Sequence, residues 1–347
     1  MPAIGRSAFA AGHLGELTQI ITPHLVDEAL AAARRVQKRV RKLPSRVVVY
    51  FVLTMTLFPA CGYAGVWASM TAGLRSRAAE PSAAVLRAAR RRVGVEPFAL
   101  LFARLRGPVA TTATAGAFWQ GLRLVAWDAT TVEAADTAGN VALFKRHRSG
   151  HGPAGYPQVH LSALVECDTR TSSMRLLTTL LDAHRYPAAD LARLYHQRWE
   201  AETAFFALKA TLRGPSQVLR SHHPVGVNQE IYAYLITYQA LRITTGQAAD
   251  TAGLDPDRLS FTVALRTLRN SVISTSCHTD SVTAALLDPR HLHPARRRDR
   301  TSPRTVNRTL SPYAYNKPKS GPSWAKSRIT TRFTITPRAS LTNDTGP

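Results

Sequence analysis

Acidic residues are scarce in this chain. Asp and Glu number 22 against 45 Lys and Arg over 347 residues, which leaves a formal net charge of +23. A surplus of that size points to a polyanionic partner, and nucleic acid is the commonest one. A generally arginine-rich composition would give the same balance. Cysteine is almost absent: Cys61, Cys167 and Cys277 are far apart, which excludes a CxxC pair or a disulfide framework and suits a reducing cytoplasm. No GxxxxGK phosphate loop occurs, so ATP is not implied. His147, His151 and His160, and later His291 and His293, have no cysteine beside them at zinc spacing and read as loop or phosphate-contact histidines. The first residues, MPAIGRSAFAAGHLGE, hold no continuous apolar stretch after a basic start, so no secretory signal is expected.

A long apolar run is also missing. From Val47 to Leu74 there is no charge, yet Pro59, Gly62 and Gly65 interrupt the stretch after VVVYFVLTMTLF. A membrane span needs about 20 apolar residues, so a buried helix followed by a turn is expected here. Anchoring through Val47–Phe58 remains the weaker alternative.

Around that segment the periodicity predicts a helical region over residues 1–115. A helix is expected over 22–43, opening at Thr22-Pro23 with Asp27 and Glu28 early and Arg34, Arg35, Lys38, Arg39, Arg41 and Lys42 late, the order a helix dipole favours. Two further helices should meet at Gly94, with Pro97 just inside the second. Arg87, Arg90, Arg91 and Arg92 would then face solvent or phosphate. Near residue 122 the period shifts to two, and LRLVAWD reads as a strand ending at Asp128. QVHLSALVEC and RLLTTLLD read as further strands. Helices follow over about 188–213, over PVGVNQEIYAYLITYQALRITTGQAA, and over DPDRLSFTVALRTLRNSV, the last with Asp255 or Asp257 as a cap. These elements make residues 116–275 an α/β domain. Residues 276–347 form a basic, largely extended tail in which the stretch after Arg290 holds only two acids, Asp299 and Asp344. No internal repeat is present.

The stretch YHQRWEAETAFFALK carries the chemistry. On a helix advancing about 100° per residue, Tyr195, Arg198, Glu202 and Lys209 fall within roughly 60° of one another. Leu194, Ala201, Phe205, Leu208 and Leu212 form an apolar stripe beside them. From spacing alone, Arg198 and Glu202 also make an ordinary i,i+4 ion pair. Trp199 and Phe206 at the stripe's edge suit either core or base stacking, with core preferred.

The pattern Tyr-x2-Arg-x3-Glu-x6-Lys, met by Tyr195, Arg198, Glu202 and Lys209, resembles the signature of DDE transposases of the IS4 insertion-sequence family. WDATTVEAADT resembles the family's strand with the first catalytic aspartate, here Asp128. LPSRVVVYFVLTMTLFPACGYAGVW and AVLRAARRRVG resemble the N-terminal domain of actinobacterial members. The resemblance implies an α/β fold with a ribonuclease H-like catalytic core, an N-terminal α-helical DNA-binding domain and the basic tail. Asp128 and Glu202 would be catalytic and would hold metal, Mg²⁺ or Mn²⁺. Tyr195, Arg198 and Lys209 would contact DNA. The implied partners are transposon inverted repeats and target DNA, with a homodimer in a synaptic complex, no membrane, and a cytoplasmic, nucleoid-associated location.

One carboxylate of the family pattern is missing. Between Asp128 and Glu202, ECDTRTSSM runs almost directly into RLLTTLLD, where family members carry a longer stretch with the second aspartate. Asp168 falls at a hairpin turn and Asp182 at a strand end; Glu133, Asp136 and Glu166 read as loop or strand acids. The expectation is an incomplete core, its second-Asp strand lost by internal deletion, and a transposase by descent that is defective in cutting. A non-catalytic DNA-binding remnant is the alternative.

Overall fold

The computed structural model describes residues 14–37, 39, 43–73, 80–112, 114, 117–149, 152–166, 182, 184–187, 190–191, 199–214, 218–274 and 281–294. Its elements are mostly helical, with small sheets, and they belong to one compact unit over residues 1–173 and 194–293. Asp182 lies in a second unit, 174–193 with 294–347. RLLTTLLD, apart from Asp182, lies outside the described residues.

Helix α1 (Pro23–Ala32) begins as the sequence suggests. The Thr22 hydroxyl accepts from the Leu25 N–H at 3.2 Å, and Pro23 occupies the first turn, where its missing N–H costs nothing. The helix stops well short of residue 43. Arg34 adopts a left-handed backbone (φ 55°), and the Arg35 N–H turns back to Leu30 O at 2.8 Å. That closure satisfies the last carbonyls in the manner of a Schellman end.

The uncharged run becomes α2 (Ser45–Leu57), apolar on all sides and buried along almost its whole length. Such a helix belongs at the centre of a bundle. No helix among the described residues is long and apolar enough to cross a membrane. Two distant arginines satisfy its C-terminal end: Arg220 donates to Cys61 O (2.7 Å), Pro59 O (3.2 Å) and Met55 O (3.3 Å), and Arg269 to Leu57 O (2.6 Å). Cations there also complement the helix dipole.

Helices α3 (Tyr63–Thr71), α4 (Ala83–Val93) and α5 (Glu96–Leu105) follow. The break between the last two falls at Gly94, whose φ of 73° suits glycine.

Three small antiparallel pairs succeed them. β1 (Phe118–Trp119) and β2 (Leu122–Arg123) close around Gln120-Gly121, both at positive φ as a tight hairpin turn requires. β3 (Val125–Glu133) pairs along its full length with β6 (Gln158–Glu166), from Val125 opposite Glu166 to Glu133 opposite Gln158. Between them lie α6 (Ala138–Phe144) and the short pair β4 (Arg148–Ser149) and β5 (Gly152–Pro153).

After β6 come α7 (Trp199–Phe206), a π-helical turn over Ala207–Leu212, and α8 (Pro224–Ala252), which starts at Pro224 and ends at left-handed Gly253. Then come α9 (Phe261–Ile273) and α10 (Ser281–Leu287). The cap of α9 is Ser260, whose hydroxyl accepts from Val263 N–H at 3.4 Å. Asp255 instead caps the short 3-10 turn Pro256–Arg258. Helix α8 packs on α2 and α5, and α9 on α3, so helices late in the chain complete the N-terminal core.

Candidate functional site

Alternation on β3 decides which side chains point inward. Ala126 and Val132 are buried and Asp128 and Thr130 half-buried on one face. Val125, Trp127 and Ala129 are exposed on the other, Trp127 to 75%. The cross-strand partners of the inner face are Val165, Ala163, Leu161 and Val159.

Helix α7 and the π-helical turn cover this inner face. Ala201 packs on Ala126, with Leu124 against the pair, so small side chains let the helix backbone approach the strand. Further along, the Lys209 ammonium donates to the Thr130 hydroxyl at 3.0 Å. Asp128 lies between Ala126 and Thr130 on the strand, and Glu202 lies between Ala201 and Lys209 on the helix. The two carboxylates and Lys209 therefore sit on the two elements that pack together here. Asp128 accepts from its neighbour's N–H, that of Ala129, at 2.8 Å, and both carboxylates are half-buried. Tyr195 and Arg198 lie outside the described residues.

The π-helical turn is the local surprise. Arg213 N–H bonds back five residues to Leu208 O at 3.1 Å, widening the helix where Lys209 and Arg213 emerge. Such turns are rare and cluster at functional sites. Burial lowers the pKa of Lys209, the Arg213 charge lowers it further, and Glu133 opposes both. Burial likewise lowers that of Arg213. Phe206, read as a core candidate, is 66% exposed.

Among the described residues no group of three or more His, Cys, Asp or Glu could hold a metal ion. Two divalent ions bridged by carboxylates need more than Asp128 and Glu202, and Asp168 lies outside the described residues. Asp182 engages its own loop, accepting from His184 N–H (3.0 Å) and Arg185 N–H (3.1 Å).

The arginines of α4 divide in two. Arg87 and Arg91 are exposed. Arg90, expected to face solvent or phosphate, is only 4% exposed. It donates to Tyr63, to Ser221 Oγ (3.1 Å), to Gly226 O (3.2 Å) and to Gln229 (3.3 Å), and lies 3.6 Å from the Glu230 carboxylate. A buried guanidinium needs this degree of satisfaction. Arg35 donates to Arg92 O at 3.4 Å, which brings the exposed Arg34-Arg35 pair beside the end of α4. Nearby acids are already paired: Asp27 with Arg46, and Glu28 with Arg104. A basic surface results.

Residues 11–103, which span the 3-10 turn Gly15–Gln19 through most of α5, match the family described as insertion element 4 transposase N-terminal. This region is thus similar to the N-terminal part of IS4 transposases. The transposase InsG for insertion sequence element IS4 of Escherichia coli (strain K12) is 36% identical over 87 residues, covering 25% of this chain and 20% of that protein. The aligned part is thus about a fifth of the IS4 relative's length. No solved structure matches the chain. The IS4 family match ends before β3, so Asp128, Glu202 and Lys209 stand outside it.

Two functional candidates, Thr130 and Arg213, escaped sequence reasoning. Arg213 is four residues beyond Lys209, a spacing that places both on one side of a helix. Its flank of leucines instead reads as core.

Proposed function

We propose that this chain is an IS4-type DDE transposase chain that binds DNA, its terminal inverted repeats first, without completing strand cleavage. The match of residues 11–103 carries this reading. The net charge of +23 and the basic surface around Arg34, Arg35, Arg87 and Arg91 support backbone phosphate contacts. Asp128 and Glu202 are the proposed remains of the catalytic carboxylates, on a β3–β6 pair and helix α7 taken as part of a ribonuclease H-like core. Lys209, hydrogen-bonded to Thr130, would hold a phosphate beside them. Tyr195 and Arg198 complete the DNA contacts in this proposal, and two copies would meet in a synaptic complex at the nucleoid.

A complete site of this type uses Mg²⁺ or Mn²⁺ to activate a hydroxyl and stabilise the leaving oxygen. Two carboxylates do not furnish that centre, and an internal deletion between β6 and α7 is the proposed cause. The non-catalytic reading rests on the shortened interval between β6 and α7 in the sequence.

Fluorescence anisotropy with a labelled duplex from the ends flanking this gene tests the binding. Nanomolar to micromolar binding that weakens steeply with salt is expected. Affinity no higher than that of an uncharged control protein would refute the proposal.

A further inference from the structure

Helix α4 has two unlike faces. Leu86, Ala89, Arg90 and Val93 are buried and dock it on α2. Arg90 fixes that face further by donating to Ser221, Gly226 O and Gln229. At about 100° per residue, Ala84, Arg87, Ala88 and Arg91 fall within roughly 100° of one another on the opposite face, and all four are exposed. No acid lies on the helix; Glu80 and Glu96 stand beyond its two ends. Asp27 and Glu28 nearby are paired with Arg46 and Arg104, so the guanidinium groups of Arg87 and Arg91 stay available to a partner.

This face suits the major groove of a DNA duplex. Its 11 residues span about 16 Å, and a groove about 12 Å wide admits one helix. Ala84 and Ala88 keep the surface between the arginines low, so the helix can approach base edges closely. A guanidinium fork matches O6 and N7 of guanine there. Arg34 and Arg35 stand at the C-terminal end of α4 through the bond from Arg35 to Arg92 O, in place to hold the flanking phosphates. A membrane surface would also attract this charge. The exposed face, however, offers alanines and Val85 but no Leu, Phe or Trp to insert.

We infer that α4 reads DNA sequence: it lies in the major groove, and Arg87 and Arg91 donate to guanine edges. This rests on the proposed DNA binding and adds the residues that tell one sequence from another.

Competition anisotropy with the full chain tests it. The probe is a labelled duplex from the ends flanking this gene, displaced by the same duplex unlabelled or by a shuffled duplex of equal length and composition. Two bidentate pairs at about tenfold each predict a preference for the end duplex of about a hundredfold. Arg87→Ala and Arg91→Ala should each lower that preference by about tenfold. Both should unfold at the wild-type temperature, because the sites are exposed and alanine favours helix. Arg34→Ala should weaken both duplexes alike, keep the preference and reduce the log–log salt slope by about 0.9.

A preference that survives both α4 substitutions, with the two duplexes weakened equally, would make these arginines phosphate contacts and overturn the inference. Equal affinity of the unaltered chain for the two duplexes would overturn it while leaving DNA binding intact. Binding to neither duplex would refute the proposed function as well. Sedimentation with phosphatidylserine vesicles covers the membrane outcome. Capture that Arg87→Ala abolishes, without duplex binding, would assign the face to a lipid surface and overturn the inference.

Discussion

At the scale of single residues, Arg90 shows how position overrules composition. It follows a solvent-exposed pattern in sequence, yet its guanidinium is the hub of a buried network that ties α4 to Ser221, Gly226, Gln229 and Glu230. Glu230 also accepts from Arg220 N–H at 3.1 Å and from Ser221, so its carboxylate is committed on several sides. Removing one partner strands the other charge in a low-dielectric interior. Arg90→Ala should cost about 3–5 kcal/mol, measured by urea unfolding, whereas Arg87→Ala on the exposed face should cost within about 0.5 kcal/mol. Nothing in RAARRR distinguishes these arginines locally, because the partners of Arg90 lie up to 140 positions away. Asp128 and Glu202 differ in that the motifs around them resemble the IS4 pattern, and that resemblance singles them out in the sequence. The structure adds which elements bring them together.

At the scale of elements, the legible parts were those whose causes are local. The uncharged run gave α2 and the Gly94 break separated α4 from α5, while the strand expected over LRLVAWD is divided into β2 and β3 and runs past Asp128 to Glu133. The parts that were not legible depend on backbone choices with weak sequence marks. Arg34 in a left-handed conformation ends α1 early, and the π-helical turn after α7 shifts Lys209 and Arg213 off the regular 3.6-residue pattern. Ser260, and not an aspartate, caps α9, because Asp255 is spent on its own 3-10 turn.

The 3-10 turn Gly15–Gln19 shows how closely distant elements fit. Gly15 has φ 54°, and a Cβ there would come within 2.9 Å of the Ser271 backbone carbon on α9. The next residue, Glu16, accepts from Val282 N–H at 2.8 Å and so caps α10. Gly15→Ala should destabilise the chain by about 2–4 kcal/mol, combining an unfavourable φ with overpacking. Chemical denaturation would show this as a lower midpoint at unchanged m value.

At the scale of the whole molecule, the helical region that matches the IS4 N-terminal family is completed by helices from beyond residue 224, and the β3–β6 pair packs on α7. Charge alone raises the expectation of a polyanion partner, since a surplus of +23 needs no fold to be read. The expectation of an incomplete carboxylate set rests on the sequence alone, on the shortened interval between β6 and α7.

The central claim is that the chain holds DNA without cutting it. Incubation of the purified chain with a labelled duplex from the flanking inverted repeat and Mg²⁺, followed by paired native and denaturing gels, tests both halves in one reaction. A shifted but intact duplex is the predicted result. Robust cutting that Asp128→Ala abolishes would contradict it.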